Sequence, residues 1–526
     1  MSMFGRRSVA GLFIFAALNA GGSALAAPAT SHLAARVASV VERPEFRRAQ
    51  IGIEFLDVAT HRPIFSMNED RLFAPASTTK VVTVGGALQA LGPNYRYHTR
   101  VYRIGAIDAT GTLHGDLVLV AAGDPDLSGR ARPDGTLAFN DEDHSYGGDP
   151  VSGDPLEPLR DIARQVSAHG IKAVDGRILV DASLFPEGDV ESGTGFVVSP
   201  ACLNDNIVDV RVTPGAAVGS PAAIVDVTPR TSYVTFVDKA KTGPAGSDNT
   251  LAFTDVANPD GSRTATLAGS VPLRSKSAWI QYGVPVPSAF LRFTLADVLT
   301  DAGIAVQPPA RVEPAVDFKV LAQSYVPANL LAEHVSLPLA QDALITLKTS
   351  QNLHATMLPY LVGALLGKDH DSSNRAGLAI EARWLRQAGL DLSEASQQDG
   401  EGTAFFTPDF MARYLAFIAG RPWFSVLFDG LPVLGRDGTL VDIQAKSRAA
   451  GHVFAKTGTD TQADYLNGGD VVLAKGLAGY FTTRSGRRIA FAIYINNVIV
   501  RSDADVTDVT GQAVGEIAAI GYETIP

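Results

Sequence analysis

The chain's 526 residues, 46% hydrophobic and 19% charged, exclude a disordered polymer and leave room for about two to four domains with buried cores. A formal charge of −11 argues against nucleic acid or anionic lipid as the main partner. The single cysteine, Cys202, excludes an internal disulfide and reads as a buried or incidental thiol.

The opening stretch MSMFGRRSVAGLFIFAALNAGGSALA combines Arg6 and Arg7, an apolar run and small residues at Ala24 and Ala26. These are the parts of a secretory signal at residues 1–26, with cleavage expected after Ala26. Its removal takes away two arginines and no acids, so the charge moves from −11 to −13. No cysteine follows the cleavage point to carry a lipid, and no later stretch reads as a membrane span. The expectation is a periplasmic protein, soluble or loosely membrane-associated.

Residues 27–98 read as a leading helix, two strands (IGIEFLDV and RPIF) and a helix beginning near Ser77. Residues 99–315 read as a β-rich region of two subdomains, with strand-like pieces such as AAIVDV, YVTFV and SRTATLAGSVPL. Within it, FNDEDHSYGGDPVSGD (139–154) reads as an exposed acidic loop whose Asp and His fit no metal spacing. A helix, LRFTLADVLTDAGI, and a Pro-rich joint, VQPPARVEPAV, close the region. Helices then return in ANLLAEHVSLPLAQDALITLK, NLHATMLPYLVGALLG and NRAGLAIEARWLRQAGL. HVFAKTGTD, AKGLAGYFTTR and RRIAFAIYINNV read as strands, the last two joined by a hairpin turn at Ser485-Gly486, and VTGQAVGEIAAI as a closing helix. The pattern suggests one domain, 27–98 plus 316–526, interrupted by an insertion at 99–315.

Three short motifs carry candidate chemistry. Ser77-Thr78-Thr79-Lys80 sets a hydroxyl and an ammonium three residues apart on one helix face, where the helix N-terminus favours developing negative charge. Ser350-Gln351-Asn352 lies between two helical stretches, and Lys456-Thr457-Gly458 lies on an expected strand. Each alone has an ordinary reading: a serine or asparagine before a helix caps it, and a strand lysine faces water. Together and in this order they form the pattern S-x-x-K, S-x-N, K-T-G.

That order resembles the penicillin-recognising serine enzymes. Within them the chain is similar to the low-molecular-mass class C penicillin-binding proteins, D-alanyl-D-alanine carboxypeptidase/endopeptidases of peptidase family S13. Further stretches carry the likeness: AAGDPDLSG, VDASLFPEG, KTSQNL with Lys348 two residues before its serine, LPVLGRDGTL, and KGLAGYFTTRSGRRIAFAIYINN. The resemblance runs from about residue 33 to the end. Two segments depart from it. The family's D-G-S-G-L-S-R stands here as Asp399-Gly400-Glu401-Gly402-Thr403-Ala404-Phe405, and the link after K-T-G, TDTQADYLNGGDVVLAKG, is longer and carries three aspartates.

The resemblance implies an α/β (α+β) serine β-lactamase/DD-peptidase-like domain, an antiparallel sheet flanked by helices, with the β-rich insertion. It implies Ser77 as nucleophile, activated by a neighbouring base, with Lys80 and Ser350 in proton transfer. An ordinary lysine is protonated at neutral pH, so low-dielectric surroundings and a second cation, for which Lys456 is the candidate, are expected to lower the Lys80 pKa. Asn352, Lys456, Thr457 and Gly458 would bind substrate, and the backbone N–H groups of Ser77 and Thr459 would form the oxyanion hole. Gly458 would leave the strand edge clear for an extended peptide. The partners implied are peptidoglycan stem peptides ending in D-Ala-D-Ala or D-Ala cross-links, and β-lactam antibiotics; no metal or other cofactor is required. A β-lactamase or esterase on the same fold and a non-catalytic cell-wall scaffold are the alternatives. The ten histidines show no metal spacing. His354 reads as a helix-surface or supporting residue rather than a base, and Asn204 and Asn206 as residues of a domain junction.

Overall fold

The computed structural model describes residues 27–307, 315–367 and 373–526. The leader and most of the Pro-rich joint lie outside the described residues. The site is built on an antiparallel sheet whose strands run, in spatial order, Val453–Ala463, Asp470–Thr482, Arg488–Asn496, Gln50–Asp57 and Arg62–Met67. The N-terminal and C-terminal parts of the chain therefore meet edge to edge, Gln50–Asp57 pairing along Arg488–Asn496.

Arg488–Asn496 shows why this sheet sits in the middle of the molecule. Ile489, Phe491, Ile493 and Ile495 point to one face, and Ala490, Ala492 and Tyr494 to the other. The first face packs on the chain-terminal helices Ala27–Val41 and Gln512–Thr524. Small side chains on the second face leave space for the helices Thr79–Leu91, Leu339–Lys348 and Pro408–Ile418. The helix Thr79–Leu91 lies so close to its neighbour that a Cβ on Gly85 would sit 2.0 Å from the Tyr414 hydroxyl. That burial holds the first turn of the helix, and Ser77 just ahead of it, in one place.

A second sheet has the order Ala305–Val306, Ala173–Val174, Thr112–Val120, His98–Ile107 and Leu330–Val335. It packs against the helices Glu157–Ala168 and Pro287–Asp301. Smaller sheets between residues 207 and 283 complete the β-rich part. Leu330–Val335 differs from the helix expected for ANLLAEHVSLPLAQDALITLK: it is a strand paired with His98–Ile107, and the helix begins only at Leu339. Pro338, as N-cap, and the pairing of the strand with His98–Ile107 explain the division. The chain thus leaves the second sheet after Val335 rather than at residue 316.

Phe491 is fully buried, with ring centroids 6.0 Å from Phe55 and 5.8 Å from Phe481. Phe491→Ala is expected to cost about 3–5 kcal/mol of stability, read as a lowered denaturant midpoint with an unchanged slope.

Candidate active site

Ser77 sits in a short 3-10 turn, Ala76–Thr78, that runs directly into the helix Thr79–Leu91. One turn further on, the fully buried Lys80 directs its Nζ back at Ser77 Oγ, 2.7 Å away. The same Nζ reaches the Ser350 carbonyl at 2.8 Å, Ser350 Oγ at 3.3 Å and Asn352 Oδ1 at 2.5 Å. Ser350 adopts φ +64, a left-handed conformation that is uncommon outside glycine and that here turns its carbonyl to Lys80. Lys456 Nζ, also buried, donates to Ser350 Oγ and to the Thr457 carbonyl, each at 2.8 Å. The Ser350 hydroxyl therefore stands between two amines.

The strand Val453–Ala463, at the sheet edge, runs along the Ser77 turn. An ideal Cβ on Gly458 would lie 2.3 Å from the Pro75 carbonyl oxygen and 3.2 Å from Ser77 N. The glycine is needed by the approach of the turn itself, which differs from the expectation that it clears a path for substrate. Thr457 Oγ1 lies 2.7 Å from Thr439 Oγ1, and Lys475 Nζ donates to Thr459 Oγ1 at 2.9 Å. Lys348 binds Asp437 at 2.7 Å and the Leu431 carbonyl, joining LPVLGRDGTL to the helix that ends before Ser350.

These groups open onto a cleft of about 840 Å³, whose lining includes Ser77, Ser350, Asn352, Thr457, Thr459 and Lys475. Asp141, Tyr146, Ser192 and Gly193, from the β-rich part, form another wall. The acidic run at 139–154 is exposed over much of its length, as expected, but its centre, Asp143–Ser145, is buried. Asp143 and His144 are buried against Arg130, Asp205 and Asp209, the Tyr146 hydroxyl donates to the Ser350 carbonyl at 2.7 Å, and Asp141 accepts from Gly438 N at 2.5 Å. Of the three aspartates in the long link after K-T-G, Asp460 lines the cleft while Asp464 caps the exposed hairpin tip.

Glu191 has no motif to mark it in the sequence. Its carboxylate gathers the loop around itself, accepting from Gly193 N at 2.8 Å, Thr194 N at 2.6 Å and the Thr194 hydroxyl, and then takes Asn352 Nδ2 at 3.0 Å. With Lys80 on Oδ1 and Glu191 on Nδ2, the Asn352 amide has one orientation. Glu401, the departure within 399–405, lies beside Glu191 and accepts from Ser192 N at 2.5 Å and Ser192 Oγ at 2.7 Å. Its Oε2 is buried without a donor, so the contact between two carboxyl groups needs a proton on one of them. Burial and then Glu191 push Glu401 up to about 8, while against its own burial Glu191 is held below its usual value by the hydrogen bond from Glu401 and then by those from Thr194 and Gly193.

Burial brings Lys80 down to about 8, opposed by Glu401, Glu191 and Asp399. Lys456 is pushed further down, by burial first and then by Lys80 and Lys475, with no carboxylate opposing. Of the two causes expected to lower Lys80, burial is the leading one and acts on both lysines, while the carboxylates that oppose it lie on the Lys80 side.

A profile of the D-Ala-D-Ala carboxypeptidase 3 (S13) family matches residues 33–519. The chain belongs to this family. It is 27% identical over 453 residues to a D-alanyl-D-alanine carboxypeptidase of Actinomadura sp. (strain R39), covering 82% of this chain and 77% of that one. It is 23% identical over 468 residues to a penicillin-sensitive carboxypeptidase A of Dictyostelium discoideum, covering 86% and 83%. The crystal structure of penicillin-binding protein 4 from Haemophilus influenzae superposes with a TM-score of 0.70 at 20% identity, over 93% of this chain and 98% of that one. The fold is that of the DD-peptidases, and the chain is a serine D-Ala-D-Ala peptidase of the S13 family.

Two variants test the Glu191–Glu401 pair by stopped-flow acylation with benzylpenicillin. Glu191→Gln turns one of its two acceptor oxygens, which serve Thr194 on one side and Gly193 and Asn352 on the other, into a donor and loosens the hold on Asn352, so the acylation rate is expected to fall on the order of tenfold or more. Glu401→Gln copies the protonated acid and is expected to acylate normally below pH 7. Above that it lacks the negative charge that holds a proton on Lys80, so the rising limb of the pH profile moves to lower pH. Gly458→Ala, which forces strand and turn apart, is expected to slow acylation on the order of a hundredfold.

Proposed function

We propose that this enzyme cleaves the bond before a terminal or cross-linking D-alanine in peptidoglycan stem peptides, through an acyl-enzyme on Ser77. The observation that carries the reading is the 2.7 Å contact from Lys80 Nζ to Ser77 Oγ, continued through Ser350 Oγ to Lys456 Nζ. A serine held this way has a base in place for its proton and a second hydroxyl in place to pass one on.

In the first step a neutral Lys80 takes the Ser77 proton as Oγ attacks the scissile carbonyl. The backbone N–H groups of Ser77 and Thr459 receive the oxyanion, and the contact of Gly458 with the Ser77 turn supports that assignment. Collapse breaks the C–N bond, and the departing amine takes its proton through Ser350, the hydroxyl between Lys80 and Lys456. Water then attacks the ester, Lys80 serving as base again, and Ser77 is released with the shortened peptide. The proton transfers run through side chains of this protein, Lys80 and Ser350.

Substrate placement follows the same geometry. Thr457, Thr459 and Lys475, with Lys456 behind them, face the position of the terminal carboxylate; Lys475, drawn down to about 8 by burial, supplies a cation when the anion arrives. Asn352 keeps one N–H of Nδ2 for a backbone carbonyl of the stem, the other being given to Glu191. In this reading the sheet unit of residues 27–98 and the C-terminal part performs the chemistry, and the β-rich region supplies one side of the cleft. The site of action is the periplasm, which the signal-like leader supports; no helix among the described residues is long and apolar enough to cross a membrane.

β-Lactams acylate the same serine, and the alternatives separate on that reaction. Intact-protein mass spectrometry after incubation with benzylpenicillin is expected to show one penicilloyl adduct per chain, absent in Ser77→Ala, and release of D-alanine from a pentapeptide is expected to fall by about 10⁴-fold or more in that variant. No adduct with the antibiotic intact on folded protein would restore the scaffold reading, and no adduct with the antibiotic consumed would restore the β-lactamase.

A further inference from the structure

We propose that the buried junction beneath the Ser350–Asn352 turn is a divalent cation site, with Asp126, Asp342 and Nδ1 of His354 as ligands and Asp124 beside them. The proposal is independent of the peptidase mechanism, since none of these groups touches Ser77 or Lys80. The ligand atoms of Asp126, Asp342 and His354 all lie within 4.8 Å of one another, and all three residues are buried. Ligands at ordinary zinc–oxygen and zinc–nitrogen distances of about 2.0–2.2 Å are separated by less than that.

Two observations distinguish this cluster from a set of self-satisfied ion pairs. The first is the orientation of His354. Its Nε2 is held by Asp205 Oδ1 at 2.8 Å, and Asp205 is itself fixed by Arg130 Nη2 at 2.9 Å and His144 Nε2 at 2.6 Å. A carboxylate on one imidazole nitrogen is the arrangement that aims the other nitrogen at a metal. Here the other nitrogen, Nδ1, faces Asp342 Oδ1 at 2.8 Å, and Asp342 Oδ2 is steadied by the Tyr97 hydroxyl at 3.1 Å.

The second is Asp126. It is 5% exposed, and neither carboxylate oxygen meets a donor among the described residues; Asp124 Oδ2 is buried without one as well. Asp124 Oδ1 accepts Asp126 N at 2.9 Å, which folds the Gly123–Ser128 loop so that both acids turn inward. Buried carboxylates without donors take up a cation or a proton. A cation in place of the proton on His354 Nδ1 would give these oxygens a partner and leave the Nε2–H to Asp205. An imidazole with two or three carboxylates suits zinc or manganese rather than calcium or magnesium, which take oxygen donors.

The ligands join the Gly123–Ser128 loop of the β-rich region to the helices on either side of Ser350, Leu339–Lys348 and Asn352–Leu366. A bound cation would clamp the β-rich region to the turn that presents Ser350 and Asn352. The sequence does not announce such a site because its ligands stand far apart in the chain and follow no spacing.

The test is zinc binding by the mature chain, purified without affinity tags that bind metal. After equilibration with Zn²⁺ and exhaustive dialysis, elemental analysis should find about one zinc per wild-type chain. Asp126→Asn should retain at least tenfold less and show no rise in melting temperature with Zn²⁺, in contrast to the wild type. Where the variant fails to fold, Co²⁺-loaded wild type provides the second measurement, with X-ray absorption expected to show a single imidazole among oxygen ligands. Wild type that retains neither zinc nor manganese would overturn the site. Equal metal in Asp126→Asn would do the same, as would a wild-type cobalt spectrum with several imidazoles or with oxygen alone.

Discussion

The constraint on which the rest of this structure depends is the complete burial of the Lys80 ammonium. A buried amine needs acceptors in several directions, and here they come from Ser77 Oγ, the Ser350 carbonyl and Asn352 Oδ1. Each acceptor imposes a local shape. Ser77 must sit one turn ahead on the same helix, Ser350 must take a left-handed backbone to present its carbonyl, and Asn352 must point its oxygen rather than its nitrogen at the lysine. The tight contact of Gly458 with Pro75 then fixes the edge strand against the Ser77 turn. The S-x-x-K, S-x-N and K-T-G motifs are the local sequence consequences of satisfying one desolvated amine and one serine together.

The β-rich region belongs to the same constraint. The Ser350 carbonyl accepts from Tyr146 as well as from Lys80, and the Asn352 amide is held by Glu191; both partners lie in that region. The sheet and its helices alone would leave the Ser350 and Asn352 groups short of these contacts. Beneath them, Asp205 lies in a turn whose residues Asn204, Asp205 and Asn206 all have left-handed backbones, with φ of 49, 57 and 56. Asn and Asp tolerate that conformation better than most residues. The turn delivers one carboxylate to Arg130, His144 and His354 together, so the two parts of the molecule share a single buried charge network.

What could be read from the sequence follows from range. Ser77 and Lys80 stand three residues apart, and a short continuous apolar run before Asn496 marks Arg488–Asn496 as a buried strand, so both are legible from short stretches. The three motifs gained meaning only in combination, and the structure brings Ser77, Lys80, Ser350, Asn352 and Lys456 together. Glu191, Tyr146 and Lys475 were missed because each acts through a partner far away in the chain, where no spacing rule applies. The strand Leu330–Val335 has the composition of a helix, since Val335 is the one strong strand former in LLAEHV, and its pairing with His98–Ile107 outweighs propensity. The run at 139–154 looked solvated by composition, yet Asp143 and His144 are buried because Arg130, Asp205 and Asp209 supply compensating charge. His354, expected near a helix surface, is fully buried for a similar reason.

Glu401 shows how the chemistry tolerates a change that looks disruptive. An acid placed beside a catalytic lysine raises the lysine's pKa and weakens it as a base. Here the acid meets Glu191, which is already committed as an anion by the N–H groups of its own loop, and two adjacent carboxylates cannot both ionise cheaply. The second therefore keeps its proton through neutral pH and behaves as a polar, uncharged group. The remaining negative charge lies nearer the Lys80 side, while Lys456 has only other lysines as charged neighbours. That asymmetry favours a neutral Lys456 and a proton on Lys80, and in the proposed mechanism the loss of that proton activates Ser77. A carboxylate arriving in the cleft would reverse the preference at Lys456, drawing a proton to it and easing the loss of one from Lys80. Substrate binding and activation of the nucleophile would then be two consequences of the same redistribution of charge.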